Sequence, residues 1–175
     1  TFNWGYDPHH FNAPEGSYAS SAEGVERIVE MRAMIQALHE MGLRVALDVV
    51  YNHTNASGVF SKSVLDKAVP GYYHRYEVDT GAIVRETCCD DTEPRNVMME
   101  KFMKDSLLMW TEHYKYDSFR FDIMSQATKD TMVRLRDAVH SIDEDNYFYG
   151  EGWTKIDRGY EQASQLNMAG TEIGT

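Results

Sequence analysis

Two cysteines are all the chain has, and they are neighbours, Cys88 and Cys89. No further Cys or His stands at zinc-site spacing from them. Adjacent cysteines bridge each other only with strain, so free thiols are the expected state. That tilts the reading toward a reducing compartment such as the cytoplasm, with secretion left open. Positive charge is also scarce: 17 Lys and Arg against 28 Asp and Glu leave a net charge of −11 and a pI near 5.0. Nucleic acid and anionic membranes both demand a basic face, so neither is expected as a partner and a neutral substrate fits better. No run of about 18 apolar residues occurs, and no charged-then-apolar leader opens the chain. A start at Thr1 and a Gly-Thr end without a closing element read as an internal piece of a longer protein.

What is present alternates between strand and helix signals. Val25, Ile28, Met31, Ile35 and Leu38 recur at helical steps, and Ser20 or Ser21 before them and Gly42 after them predict a helix over 23–41. The run 43–50 is almost continuously apolar and β-branched, as in a parallel strand buried on both faces, with Asp48 interrupting it near its end. A long insert rich in Ser, Asn, Asp and Gly fills 51–93, and Asp79-Thr80-Gly81 between 72–78 and 82–85 suggests a small hairpin. Pro94 precedes a second helix to about 114, whose Met99, Met103, Leu107, Trp110 and Tyr114 make a core stripe rather than a cofactor pocket. A strand over 117–122, a helix over 129–142 and a strand over 146–150 complete the pattern, and the tail from Trp153 is polar without period. Such alternation predicts a parallel sheet with right-handed crossovers.

Carboxylates stand at the strand ends. Y-D-S-F-R-F-D closes on Asp122 and Y-F-Y-G-E-G-W contains Glu151, 29 residues further on. That separation is about one strand–helix–strand unit, which puts the two acids at the ends of neighbouring parallel strands, where such sheets bind ligands. Two carboxylates facing one pocket are what glycosidic bond cleavage needs. Arg120 leaves the same strand face as Asp122 and is expected to keep it ionised. Glu151, between Gly150, Gly152 and Trp153, is expected to have its pKa raised by an apolar ring. The bland alternative is a structural Arg–Asp pair beside a solvated loop glutamate. D-V-V-Y-N-H places Asp48, Asn52 and His53 at another strand end, a mixture of donors and acceptors suited to sugar hydroxyls. Asn3-Trp4-Gly5-Tyr6-Asp7-Pro8 supplies rings of the kind that stack on sugar faces. His9, His10 and His53 raise a metal hydrolase as another reading, but no H-E-x-x-H or comparable pair exists, and no metal site is expected.

In this order the strings resemble the α-amylase superfamily of glycoside hydrolases, and within it the type I pullulanases. D-V-V-Y-N-H is similar to the first conserved region, F-R-F-D to the second, Y-G-E-G-W to the third, and N-W-G-Y-D-P with Gly16-Ser17-Tyr18-Ala19 to the pullulanase signature. The resemblance covers essentially the whole chain. It implies an α/β fold, a partial (β/α)8 TIM barrel with about three central strands and flanking helices, residues 1–175 forming a partial catalytic domain truncated at both ends. It further implies Asp122 as nucleophile, Glu151 as acid and then base, Arg120 as partner of Asp122, His53 and Asp48 on the non-leaving side, Tyr6 stacked beneath the sugar, and Trp153 on the acceptor side. An α-glucan is then the partner and no cofactor is needed, although calcium in a longer parent is left open. Ser118 and Ser125-Gln126-Ala127 depart from the Gly and Gly-x-His usual around the second region, and the superfamily's third acid is expected beyond residue 175. The chain by itself is therefore expected to be inactive. Other α-glucan hydrolases or transferases, and a non-catalytic glucan-binding relative, are the alternatives.

Overall fold

The computed structural model describes residues 4–154 and 157–175; Phe2 and Asn3 of the aromatic motif, and residues 155 and 156 of the tail, lie outside the described residues. Helix α1 spans Glu26–Glu40. It begins later than the serine signal suggested because Ser20 is engaged elsewhere: its backbone N–H donates to Glu30 at 2.9 Å and its hydroxyl bonds the same carboxylate. Gly42 ends it as expected, at a φ of +77° that side chains avoid. Of the α1 stripe only Ile35 is fully buried, and Val25 stays exposed.

Strand β1, Ala46–Val49, follows. It was expected to be buried on both faces, but Ala46 and Asp48 are exposed. Among the described residues β1 pairs only with β4, Ser118–Phe121, and is a sheet edge, so its faces are incompletely covered. The insert between them is pinned at both ends by β2, His53–Thr54, pairing antiparallel with β3, Asp90–Asp91. Within it lie a single turn of helix, α2, Leu65–Ala68, and the expected hairpin, closed by a Tyr76–Ile83 bridge. Its buried acids substitute for regular secondary structure. Asp66 accepts from the N–H of Gly58 at 2.7 Å and Gly71 at 3.2 Å and from the Tyr76 hydroxyl at 2.8 Å, and Asp90 accepts from the Ser57 N–H at 2.7 Å.

Helix α3, Val97–Met109, runs into a π turn over Trp110–Tyr114 and stops at Lys115, which has a left-handed φ of 65°. All five stripe residues from Met99 to Tyr114 are buried. Helix α4, Lys129–His140, carries Met132, Leu135 and Val139 into the same core and is capped by the Thr128 hydroxyl on the Thr131 N–H. Ile142, expected on that stripe, lies beyond the helix and is exposed. Strand β5, Tyr147–Gly150, pairs parallel with β4, and Phe119 and Phe148, both 0% exposed, meet edge-on at 5.6 Å between sheet and helices.

Two further expectations require correction. The tail contributes a fourth parallel strand, β6, Ile173–Gly174, so the sheet order is β1-β4-β5-β6 rather than three strands; two residues are too few to carry a period. Cys88 and Cys89 are joined in a disulfide. The bend at 86–89 is held by the Glu86 N–H and the Thr87 hydroxyl on the Asp91 carboxylate, at 3.1 and 2.7 Å, which fixes the backbone leading into the pair. The inclination toward a reducing compartment rested on free thiols and loses that premise. No helix among the described residues is long and apolar enough to cross a membrane.

Candidate active site

Sheet register assembles the site. Asp48, Arg120 and Tyr149 share one rung, and Val49, Phe121 and Gly150 the next. One step beyond, the Asp122 N–H donates to Val49 O at 2.9 Å and the Glu151 N–H to Phe121 O at 3.0 Å. Both acids therefore leave the C-terminal ends of adjacent parallel strands, as the 29-residue spacing predicts. Gly150 permits this approach, since a Cβ there would stand 2.7 Å from Phe121 O.

A single guanidinium joins the group. Arg120 reaches Asp48 at 2.8 Å, Asp122 at 3.3 Å and Glu151 at 2.6 Å. The closest contact is thus with Glu151, where the sequence suggested Asp122. Glu151 also accepts from the Ile123 N–H at 3.2 Å. Ile123 makes that contact from a left-handed conformation, φ 38° and ψ 56°, which is costly for a β-branched residue and occurs where the surroundings over-determine it.

Asp122 does not have the lowered pKa that an arginine neighbour suggested. Burial pushes its carboxyl above the usual range and Glu151 adds to this, while the Asn52 hydrogen bond, Arg120 and His53 offset only part. The Arg120 guanidinium is held more firmly charged, because Asp48, Glu151 and Asp122 outweigh its burial. The Tyr6 hydroxyl donates to Asp48 at 2.7 Å, which raises its pKa, and the Tyr6 ring lies 5.7 Å from the guanidinium carbon.

Of the residues singled out from sequence, Tyr6, Asp48, Arg120, Asp122 and Glu151 form one connected group. His53 joins it from beneath: it is 2% exposed, with Nδ1 at 2.9 Å from the Asn52 amide nitrogen and Nε2 on the Tyr6 carbonyl. Trp153, two residues beyond Glu151, is half exposed. Sequence reasoning grouped Asn52 with its neighbours but gave it no contact to Asp122, and missed the Ile123 N–H altogether. For the second, the only available signal was its place directly after a strand-end acid.

One group of potential metal ligands converges among the described residues: the ligand atoms of His53, Cys88 and Cys89 lie within 4.8 Å of one another. With the two sulfurs bonded to each other neither is a thiolate, and one imidazole is too little for a metal centre. A cleft of about 930 Å³ opens beside Asn146, Tyr147 and Ile173. It lies at the start of β5, the opposite end from Glu151, and owes its size to the flank of β6, the other edge of the sheet.

No family profile matches the chain. It is similar to the pullulanase of Klebsiella pneumoniae, 49% identical over all of the chain and 16% of that protein. It is also similar to the chloroplastic pullulanase 1 of Arabidopsis thaliana, 45% identical over 99% of the chain and 19% of that protein. Among solved structures, the maltotriose complex of the Klebsiella pneumoniae protein superposes with a TM-score of 0.95 at 49% identity, covering 99% of the chain and 19% of its own. Type I pullulanase from Bacillus subtilis, complexed with maltose, gives 0.86 at 36% identity over 95% of the chain and 23% of its own. The chain thus matches type I pullulanases along its whole length and spans about a sixth to a fifth of the length of these curated relatives.

Proposed function

We infer, from a chain that matches type I pullulanases along its whole length, that the full-length gene product is a retaining glycoside hydrolase of α-1,6-glucosidic branch linkages. Its substrates are pullulan, starch or glycogen-type α-glucans, and the maltotriose and maltose complexes of the relatives support an α-glucan oligosaccharide as the ligand. Residues 1–175 are then part of a catalytic (β/α)8 barrel, of which the four parallel strands form one arc.

The observation that carries the reading is the single Arg120 guanidinium between Asp122 and Glu151 at adjacent strand ends. In this reading the Asp122 carboxylate attacks the anomeric carbon as the Glu151 carboxyl gives its proton to the departing glycosidic oxygen. Glu151, now a carboxylate, takes a proton from water, whose oxygen displaces Asp122 from the sugar, so both acids return to their starting states. Arg120 opposes protonation of Asp122 and stays charged throughout. Tyr6, Asp48 and His53 shape the non-leaving side, and Trp153 offers a ring on the acceptor side.

Replacing Asp122 with Asn in the full-length protein tests this directly. Pullulan hydrolysis falls by at least about a thousandfold while glucan binding stays within about threefold, because the nucleophile acts in the transition state. Activity kept at even a tenth of wild type removes Asp122 from the role.

A further inference from the structure

We propose that Asn52 is a positioning residue of this site, its amide group donating one hydrogen to Asp122 and the other to His53; the proposal rests on the reading of Asp122 as nucleophile. Asn52 Nδ2 lies 3.1 Å from Asp122 Oδ2 and 2.9 Å from His53 Nδ1. The side chain is 3% exposed, and its Oδ1 is buried without a hydrogen-bond partner. A merely structural asparagine turns to satisfy its oxygen, since an orphaned buried acceptor carries a desolvation penalty. Here the opposite flip would put Oδ1 against a carboxylate, so the site itself dictates the orientation.

Two consequences follow for the neighbours. His53 Nδ1 accepts from Asn52, and the ring proton is on Nε2, facing the Tyr6 carbonyl. Thr87 Oγ1 also lies 3.0 Å from Nδ1 with its hydroxyl hydrogen on Asp91 Oδ1 at 2.7 Å; the Tyr6 carbonyl, which only accepts, holds the ring proton on Nε2, and the Asn52 amide matches it by donating to Nδ1. Asp122 is faced by Arg120 from its own strand, by Asn52 and His53 from the segment after β1, and by Glu151 from the end of β5, with Asp48 and Tyr6 behind the guanidinium. Burial and Glu151 favour the protonated acid; the Asn52 donor and Arg120 favour the carboxylate that attacks. Without the Asn52 donor, Asp122 takes up its proton at higher pH.

The test compares Asn52→Ala and Asn52→Asp with wild type in the full-length protein, following pullulan hydrolysis against pH together with thermal unfolding. Asn52→Asp keeps the size and shape of the side chain while the donor becomes an acceptor beside Asp122, and thermal unfolding reports what the buried charge costs the fold. The expected result is an acid limb of kcat/KM moved up by about half a unit to one unit in Asn52→Ala and further in Asn52→Asp. kcat falls at least about tenfold with KM within about threefold. An acid limb that stays in place in both variants overturns the proposal, as does a loss of activity that only tracks a lowered Tm. Asp122→Asn assayed alongside separates the two levels: if it stays active, the nucleophile assignment fails independently of Asn52.

Discussion

The backbone N–H of Ile123 donates to Glu151 Oε2 at 3.2 Å from a left-handed conformation that β-branched residues avoid. Strand β4 ends and the chain turns sharply after Asp122, so the N–H of the next residue points at the Glu151 carboxylate. Ile123→Asn tolerates the left-handed region and keeps the N–H, and should retain activity on pullulan within about threefold. Ile123→Pro fixes φ near −65° and removes the donor, and should lose activity by about a hundredfold or more. Steady-state rates of both variants in the full-length protein check this, and equal activity in the two would remove the N–H from the site.

Gly150 is the tightest point of the framework. A Cβ there would meet Phe121 O at 2.7 Å, Phe121 Cβ at 2.9 Å and Met124 Cβ at 3.0 Å. Backbone cannot give way as a flexible side chain does, so Gly150→Ala should destabilise the full-length protein by about 1–3 kcal/mol and displace Glu151. Denaturant unfolding measures the first effect and kcat the second. A variant with wild-type stability would mean that β4 and β5 are farther apart than described.

The match between sequence and structure is closest where long patterns carry the signal. The stripe from Met99 to Tyr114 is buried throughout, and the spacing from Asp122 to Glu151 places both acids at neighbouring strand ends. What escaped is short or depends on neighbours distant in sequence. Ile173–Gly174 is too brief for a period, and nothing local marks Ile123 for a positive φ. The preference of Arg120 for Glu151 over Asp122 is a matter of angstroms between strands, which same-face reasoning along one strand does not resolve. The raised pKa of Asp122 likewise comes first from burial, which depends on how α3, α4 and the insert close over the sheet.

Acid should weaken the α3–α4 packing. Glu100 accepts from Arg134 Nε and Nη2 at 2.7 Å each and from the Thr131 hydroxyl at 2.9 Å, and Arg134 chiefly holds its pKa below the ordinary carboxylate value. A lowered native pKa stabilises the fold above the unfolded-state pKa, about 4.3 for Glu, and that contribution is lost as pH falls through the native value. Arg134→Ala should therefore cost about 0.5–1 kcal/mol at pH 7 and next to nothing below about pH 3. Unfolding free energies of the two proteins at both pH values decide it; a difference that persists in acid would assign the effect to packing.

Cys88 and Cys89 give a chemical check that does not depend on folding. Denatured without reductant, the 175-residue chain should show no titratable thiol, since both cysteines are in the disulfide. Two thiols per chain would restore the expectation read from the sequence.

The most direct test of the central claim, that Asp122 is the nucleophile and Glu151 the proton donor of a retaining α-glucan hydrolase, is to trap the intermediate. The full-length protein is incubated with a fluorinated α-glucosyl fluoride, which forms the glycosyl-enzyme readily and hydrolyses it slowly, and the digested protein is mapped by mass spectrometry. The predicted result is one added sugar on the peptide containing Asp122, absent in Asp122→Asn. A sugar attached elsewhere, or no adduct together with product of inverted anomeric configuration, would contradict it.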